Sequence, residues 1–305
     1  MTPGARVQAA TEILDEILAG QAAEKALTNW GRRSRYAGSK DRLAVRDHVF
    51  QALRCQRSHA ALGGALTGRG LMIGALRAEG LDPADLFHGE GHAPKPLDEA
   101  EQASPRAFES VAEENDVPEW LWPLFERSLG DQALEAAQAL RSRAPVHLRV
   151  NLRKGDRDAA IKRLAEGGII AEPQAVSPSA LTVTDGARRV KNSESYLQGF
   201  VELQDAASQA VVDALPLHDG QRVLDFCAGG GGKALAMAGR VDAQIYAHDA
   251  VPRRMKDVPE RAERAGVSLP CLTTEELAKL APFDLVLCDA PCSGSGSWRR
   301  DPEGK

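Results

Sequence analysis

Three stretches near the end of the sequence have residue types and spacing suited to chemistry. In "VLDFCAGGGGKA" an apolar strand runs into Cys227, Ala228, four glycines (Gly229, Gly230, Gly231 and Gly232) and Lys233, and a helical pattern follows. Glycines there permit a tight turn and bring backbone N–H groups and a helix start against a polar or anionic ligand. Gly229, Gly231 and Ala234 meet the G-x-G-x-x-G/A spacing of dinucleotide loops, and no G-x-x-x-x-G-K-[ST] phosphate loop exists. Asp249 ends the next strand, twenty residues after Gly229. A carboxylate so placed can accept both hydroxyls of a ribose. Together the two signals point to a nucleoside-containing cofactor, either a nicotinamide dinucleotide or S-adenosylmethionine.

The third stretch, "LCDAPCSGSG", separates those two. Asp289 stands at the carboxyl end of a further strand, where an open α/β sheet places its ligands. Pro291 stiffens the turn and sets Cys292 at the strand's edge. A dehydrogenase needs no thiol there, whereas methylation of an unreactive aromatic carbon does. Carbon 5 of a cytosine becomes nucleophilic once a thiolate adds to carbon 6. Cys288 and Cys292 form a lone C-x3-C with no second ligand pair, so no metal is expected.

The elements that must position these residues can be read from periodicity. From residue 200 onward strands at 222–226, 244–249, 268–272 and 283–289 alternate with helices beginning near Gly232, Pro252 and Thr274. Such alternation implies a parallel, doubly wound sheet. Upstream, "RVQAATEILDEILAG" and "SKDRLAVRDHVFQALRC" have helical spacing, with Gly20 available to end the first and Ser39 to cap the second. Residues 68–80 continue helical, and a Pro-, Gly- and acid-rich connector follows. In "VPEWLWPLFERSLG", near-helical spacing makes Trp120, Trp122 and Phe125 packing residues rather than a base-stacking platform. From Pro145, "VHLRVNLRK", "RDAAIKRLAEGG" and "ALTVT" read as strand, helix and strand of a small α/β module.

Composition sets outer bounds. The 305 residues carry a formal net charge of −5, but the charge is unevenly spread. Residues 1–60 hold ten Lys/Arg against six Asp/Glu, residues 77–135 four against fifteen, and residues 141–200 eleven against six. Local basic segments can hold phosphates even in an acidic chain. No run of eighteen apolar residues exists, no apolar core precedes a cleavage site, and five cysteines form no disulfide framework. A cytoplasmic monomer without a membrane partner is the expectation.

The three chemical stretches resemble the RsmB/Sun-type RNA 5-methylcytosine methyltransferases. The cofactor loop of that family reads close to C-A-A-P-G-G-K, so residues 227–233 keep its register with Gly-Gly in place of Ala-Pro. Gln204, Asp205 and Ser208 resemble its Q-D-x-x-S segment, and "DAPCSGSGSWRRDPE" its substrate loop through Arg299, Arg300, Asp301 and Pro302. The resemblance implies a class I methyltransferase domain, Rossmann-like and α/β, over 201–305. It also implies a small α/β RNA-binding subdomain over 141–200 and an all-α, NusB-like RNA-binding domain over 1–140. S-adenosyl-L-methionine would lie on residues 227–233, Asp249 and Asp289. Cytosine carbon 5 in RNA, expected to be 16S ribosomal RNA, would receive the methyl group.

Two departures stand out. The family's adenine-side Asp has no counterpart in "CLTTEE", where Thr273 is the nearest candidate. The family's attacking cysteine lies in a Thr-Cys-Ser segment downstream of D-A-P-C, beyond Lys305 here. The continuous apolar strand "FDLVLC" would then stand on a sheet edge, so the expectation is a truncated chain. The resemblance leaves Cys292 as the helper thiol that releases the methylated base. Rival readings are a non-catalytic RNA-binding fragment, a methyltransferase for DNA or a small molecule, and a nicotinamide-dependent oxidoreductase.

Overall fold

Apolar residues recurring every three or four positions build five helices over the first eighty positions: α1 Pro3–Leu18, α2 Ala23–Arg33, α3 Ser39–Arg54, α4 Gln56–Gly63 and α5 Gly68–Ala78. The computed structural model describes residues 1–103 and 105–305, and its contacts divide them into two units. The first joins Met1–Ala144 to Ser293–Lys305, and the second is Pro145–Cys292, a division unlike the three parts expected above. In the first unit Ile13, Leu14, Val45, Val49, Leu71 and Ile73 form a buried core. Backbone-to-backbone packing of α4 on α5 depends on glycine. A Cβ at Gly74 would stand 1.9 Å from the His59 carbonyl oxygen. The cap of α3 is Gly38, through its backbone, and Ser39 takes the first helical position instead.

Four shorter helices follow: α6 Glu99–Gln102, α7 Val111–Glu114, α8 Trp122–Leu129 and α9 Ala133–Leu140. Of the residues expected to pack, Trp122 and Phe125 are half-buried, whereas Trp120 is 72% exposed and does not pack. The helical spacing misled because Trp120 lies in the turn before α8, where Leu121 N–H donates to the Pro118 carbonyl. Asp116 is buried at a positive φ of 57° and accepts from the Arg57 and Ser58 backbone N–H groups at 3.0 and 2.9 Å. It thereby caps α4 from outside the helix and pairs with Arg141 at 2.9 Å. The last residues fold onto this unit. Trp298 is buried, Arg299 donates to the Ser142 and Arg143 carbonyls at 3.1 and 3.0 Å, and Glu303 accepts from the Ala23 N–H.

The second unit holds two sheets. Strands β1 Val146–Val150, β2 Ile170–Pro173, β3 Ala180–Asp185 and β4 Val201–Leu203 form an antiparallel sheet in the order β2-β3-β1-β4. Helices α10 Arg157–Glu166 and α11 Glu194–Leu197 belong to the same part. Then α12 Ala206–Asp213 leads to the parallel strands β5 Arg222–Asp225, β6 Gln244–Ala247 and β7 Leu285–Leu287, ordered β6-β5-β7. Between these strands lie α13 Gly232–Ala238, α14 Val258–Ala265 and α15 Thr274–Leu280. The strand expected at 268–272 shrinks to one parallel bridge between Ala247 and Cys271. Pro270 lacks an N–H and gives that ladder only its carbonyl, to Ala247 N–H. Among the described residues β7 pairs with β5 alone, and Val286 is 51% exposed.

Asp116 gives a direct test of the helical unit. Asp116→Ala should cost about 3–5 kcal/mol, because it strands Arg141 and uncaps α4. Asp116→Asn should cost less, since Asn tolerates positive φ and still accepts hydrogen bonds. Urea melts of the two variants check both outcomes.

Candidate functional site

The candidate site lies at the carboxyl ends of β5, β6 and β7, where the parallel strands open into loops. Residues 226–231 follow the central strand β5, which is flanked on both sides. Phe226 N–H donates to the Leu287 carbonyl and Ala228 N–H to the His248 carbonyl, each at 2.8 Å. The loop is therefore pinned to both neighbouring strands. Gly229 and Gly231 have φ of +52° and +78°, conformations that favour glycine. A Cβ at Gly231 would also lie 3.0 Å from the Val258 side chain on α14.

Asp249, buried beyond β6, has both carboxylate oxygens engaged. One oxygen accepts from Gly229 N–H at 3.0 Å and the other from Val251 N–H at 2.9 Å, while Arg254 stands 3.3 Å away. Lys233, on the first turn of α13, donates to Asp289 beyond β7 at 2.5 Å. The residues singled out in the sequence thus meet in two pairs, Gly229 with Asp249 and Lys233 with Asp289. Cys292 is exposed in the loop that follows, and no hydrogen bond joins it to either pair among the described contacts. Partial burial, with the carboxylates of Asp249 and Asp225 nearby, raises the Cys227 thiol above its ordinary range. Thr273 is committed to a capping box with Glu276 at the start of α15.

Sequence reasoning passed over Asp225. This last residue of β5 is 1% exposed, and its Oδ1 has no hydrogen-bond partner. Burial pushes its pKa up to about 6, against the pull of the Ala234 and Cys227 backbone N–H groups and of Lys233. The signal was in the sequence: an acid that follows Val223 and Leu224 at the end of the strand, four residues before the first glycine. His248 was also missed. It is buried, stacks on Phe226 with centroids 4.7 Å apart, and meets Thr274 Oγ1 at 3.1 Å.

The antiparallel sheet supports the site from behind. Arg149 of β1 is buried and donates to Gln204 Oε1 at 2.5 Å and to the Gly232 carbonyl at 2.6 Å. Burial draws its pKa down to about 10, so it remains charged at neutral pH. Arg153 donates to the Ala238 carbonyl at the end of α13, and Lys154 to the Arg264 carbonyl near the end of α14. Cations at helix C-termini complement the helix dipole and satisfy carbonyls that lack helical partners. Three of the basic residues expected to grip phosphates are thus engaged inside the unit.

Comparison with known proteins agrees with this fold. Residues 117–190 match the RsmF/B-like methyltransferase ferredoxin-like domain, and residues 212–305 match the family described as 16S rRNA methyltransferase RsmB/F. The ribosomal RNA small subunit methyltransferase B of Xanthomonas campestris pv. campestris is 35% identical over 210 residues, 66% of this chain and 48% of that protein. The chain thus spans about half the length of the curated relatives it matches. The crystal structure of PH0851 has the same fold, with a TM-score of 0.68 at 20% identity over 100% of this chain and 78% of that one. A methyltransferase homolog protein from Pyrococcus horikoshii has a TM-score of 0.54 at 26% identity, over 62% of this chain and 64% of its own. The parallel sheet is Rossmann-like, and the chain belongs to the RsmB/F methyltransferase family.

Proposed function

We propose that the loops beyond β5, β6 and β7 bind S-adenosyl-L-methionine and serve methyl transfer to carbon 5 of a cytosine in ribosomal RNA. The observation that carries this is the Lys233–Asp289 contact, which joins the glycine loop to the D-A-P-C segment at one end of the sheet. The residues fit the group. Gly231 lets the loop pack closely on Val258 of α14, and the partnerless Asp225 Oδ1 suits a cationic amino group. Asp249 would take the ribose hydroxyls on the lone pairs that Gly229 and Val251 leave unused. Bound there, S-adenosylmethionine would supply an electrophilic methyl group.

Asp289, held by Lys233, would orient the base. Cys292 has the part of the thiol that assists release of the methylated base. In the family that this chain resembles, attack on carbon 6 is the part of a cysteine in a Thr-Cys-Ser segment. A cytosine must leave its stack to reach such a site, so a loop or single-stranded target is favoured. The helical residues 1–140, NusB-like in this proposal, and the module at 141–200 would hold the RNA backbone. The protein would act as a monomer, in the cytoplasm and without a metal.

Calorimetric titration tests the cofactor. S-adenosylmethionine should bind and NADH should not, and binding of NADH alone would overturn the proposal. Asp249→Ala should weaken binding at least about tenfold, the effect of losing a hydrogen bond to a charged acceptor.

Asp225 makes a pH-dependent prediction. Its pKa of about 6 lies above the ordinary carboxylate value, so the stability tied to its neutral form is complete below pH 4 and lost as pH rises through 6. In urea melts at pH 8, Asp225→Asn should exceed the ligand-free parent by up to about 3 kcal/mol, a gap that closes toward pH 4. The same variant should lose affinity for S-adenosylmethionine. Affinity of the parent should fall as pH drops below 6.

A further inference from the structure

The RNA-holding role proposed for residues 1–140 has no residues assigned to it so far, and the first unit carries one cationic surface suited to it. The segment "GRRSRYAGSKDR" joins α2 to α3 and places Arg32, Arg33, Arg35, Tyr36, Lys40 and Arg42 within eleven residues. A groove of about 670 Å³ beside it is lined by Arg32, Arg35, Arg42 and Arg46, with Glu24 as its one acid. Two neighbouring cations are already neutralised, Arg46 by Glu24 and Arg33 by Glu16. Arg32 and Arg35 are exposed and have no ion pair among the described residues. Arg42 donates only to neutral acceptors, the Ala37 and Ser34 carbonyls at 2.9 and 3.5 Å, so its charge stays uncompensated.

Those bonds also fix the turn. Ser34 and Ala37 are buried, Ser34 N–H donates to the Trp30 carbonyl, and Ala37 N–H donates to the Ser34 carbonyl. Between them Tyr36 is held 74% exposed. Tyr36 lines a second groove that shares Trp30 with the arginine-lined one, so the turn offers an aromatic ring to solvent beside three uncompensated guanidinium groups. Cations that follow a backbone, with an aromatic ring on which a base can stack, are the means of binding single-stranded nucleic acid without reading its sequence. Resting on the proposed ribosomal RNA substrate, we infer that the α2–α3 turn is a single-stranded RNA contact. Arg32, Arg35 and Arg42 meet phosphates there, and Tyr36 stacks on an unpaired base.

The test is fluorescence anisotropy of the full chain with a labelled single-stranded RNA of about 12 nucleotides over a range of salt. Arg32→Gln with Arg35→Gln should weaken binding about tenfold and make the log–log salt slope shallower by about 1.4, near 0.7 per lost phosphate contact. Tyr36→Ala should weaken binding about tenfold with the slope unchanged, and Tyr36→Phe should bind like the parent. Arg127→Gln, at another exposed arginine, should change neither quantity. Circular dichroism melts should match the parent throughout, because every altered side chain is exposed.

Parent-like affinity and slope in the double variant would overturn this inference alone. Absence of RNA binding by the parent would overturn the RNA substrate as well. Equal loss of a labelled polyglutamate by the double variant, with Tyr36→Ala silent, would assign the turn to an acidic protein segment instead.

Discussion

The carboxylate of Asp249 is the constraint on which the candidate site depends. A loop of four glycines costs more conformational entropy to fix than any other sequence of its length. Its first glycine is held by one buried acid that accepts from Gly229 on the loop and from Val251 on its own strand's exit, beside the backbone bonds that pin Phe226 and Ala228. Arg254 stands beside that carboxylate and balances its charge. A charge-assisted bond to a backbone N–H is among the stronger local interactions a protein has, and burial strengthens it. The β5 loop and the β6 exit are thereby one structure before any ligand arrives.

The second support comes through the small antiparallel sheet. Arg149, Arg153 and Lys154 look in the sequence like a basic surface, yet all three spend their charge on carbonyls of the Rossmann-like part. Arg149 reaches the first residue of α13 and Arg153 its last turn. The helix that follows the glycines is held at both ends by one strand and its exit. An isolated helix of seven residues has no such stability of its own.

The course of the parallel strands was legible because β5, β6 and β7 are apolar runs closed by Asp225, Asp249 and Asp289, and alternation with helices allows few topologies. The glycine loop and the acid that holds it were legible from their residue types and spacing. Other features depend on partners distant in the chain. Glu303 reaches Ala23, Asp116 caps α4, and Trp120 stands in a turn that helical spacing ignores. Asp225 was hidden for a different reason: a buried acid is conspicuous only when its neighbours are seen to leave one oxygen without a partner.

Amide hydrogen exchange at Gly229 in the ligand-free chain, read residue by residue, tests most directly whether the site is built in advance. If Asp249 holds the loop, the Gly229 amide is protected in the parent. It should approach the unprotected rate in Asp249→Ala while Val223 and Leu224 of β5 stay protected. Rapid exchange of Gly229 in the parent, beside a protected β5, would contradict a preformed loop and leave its order to the ligand.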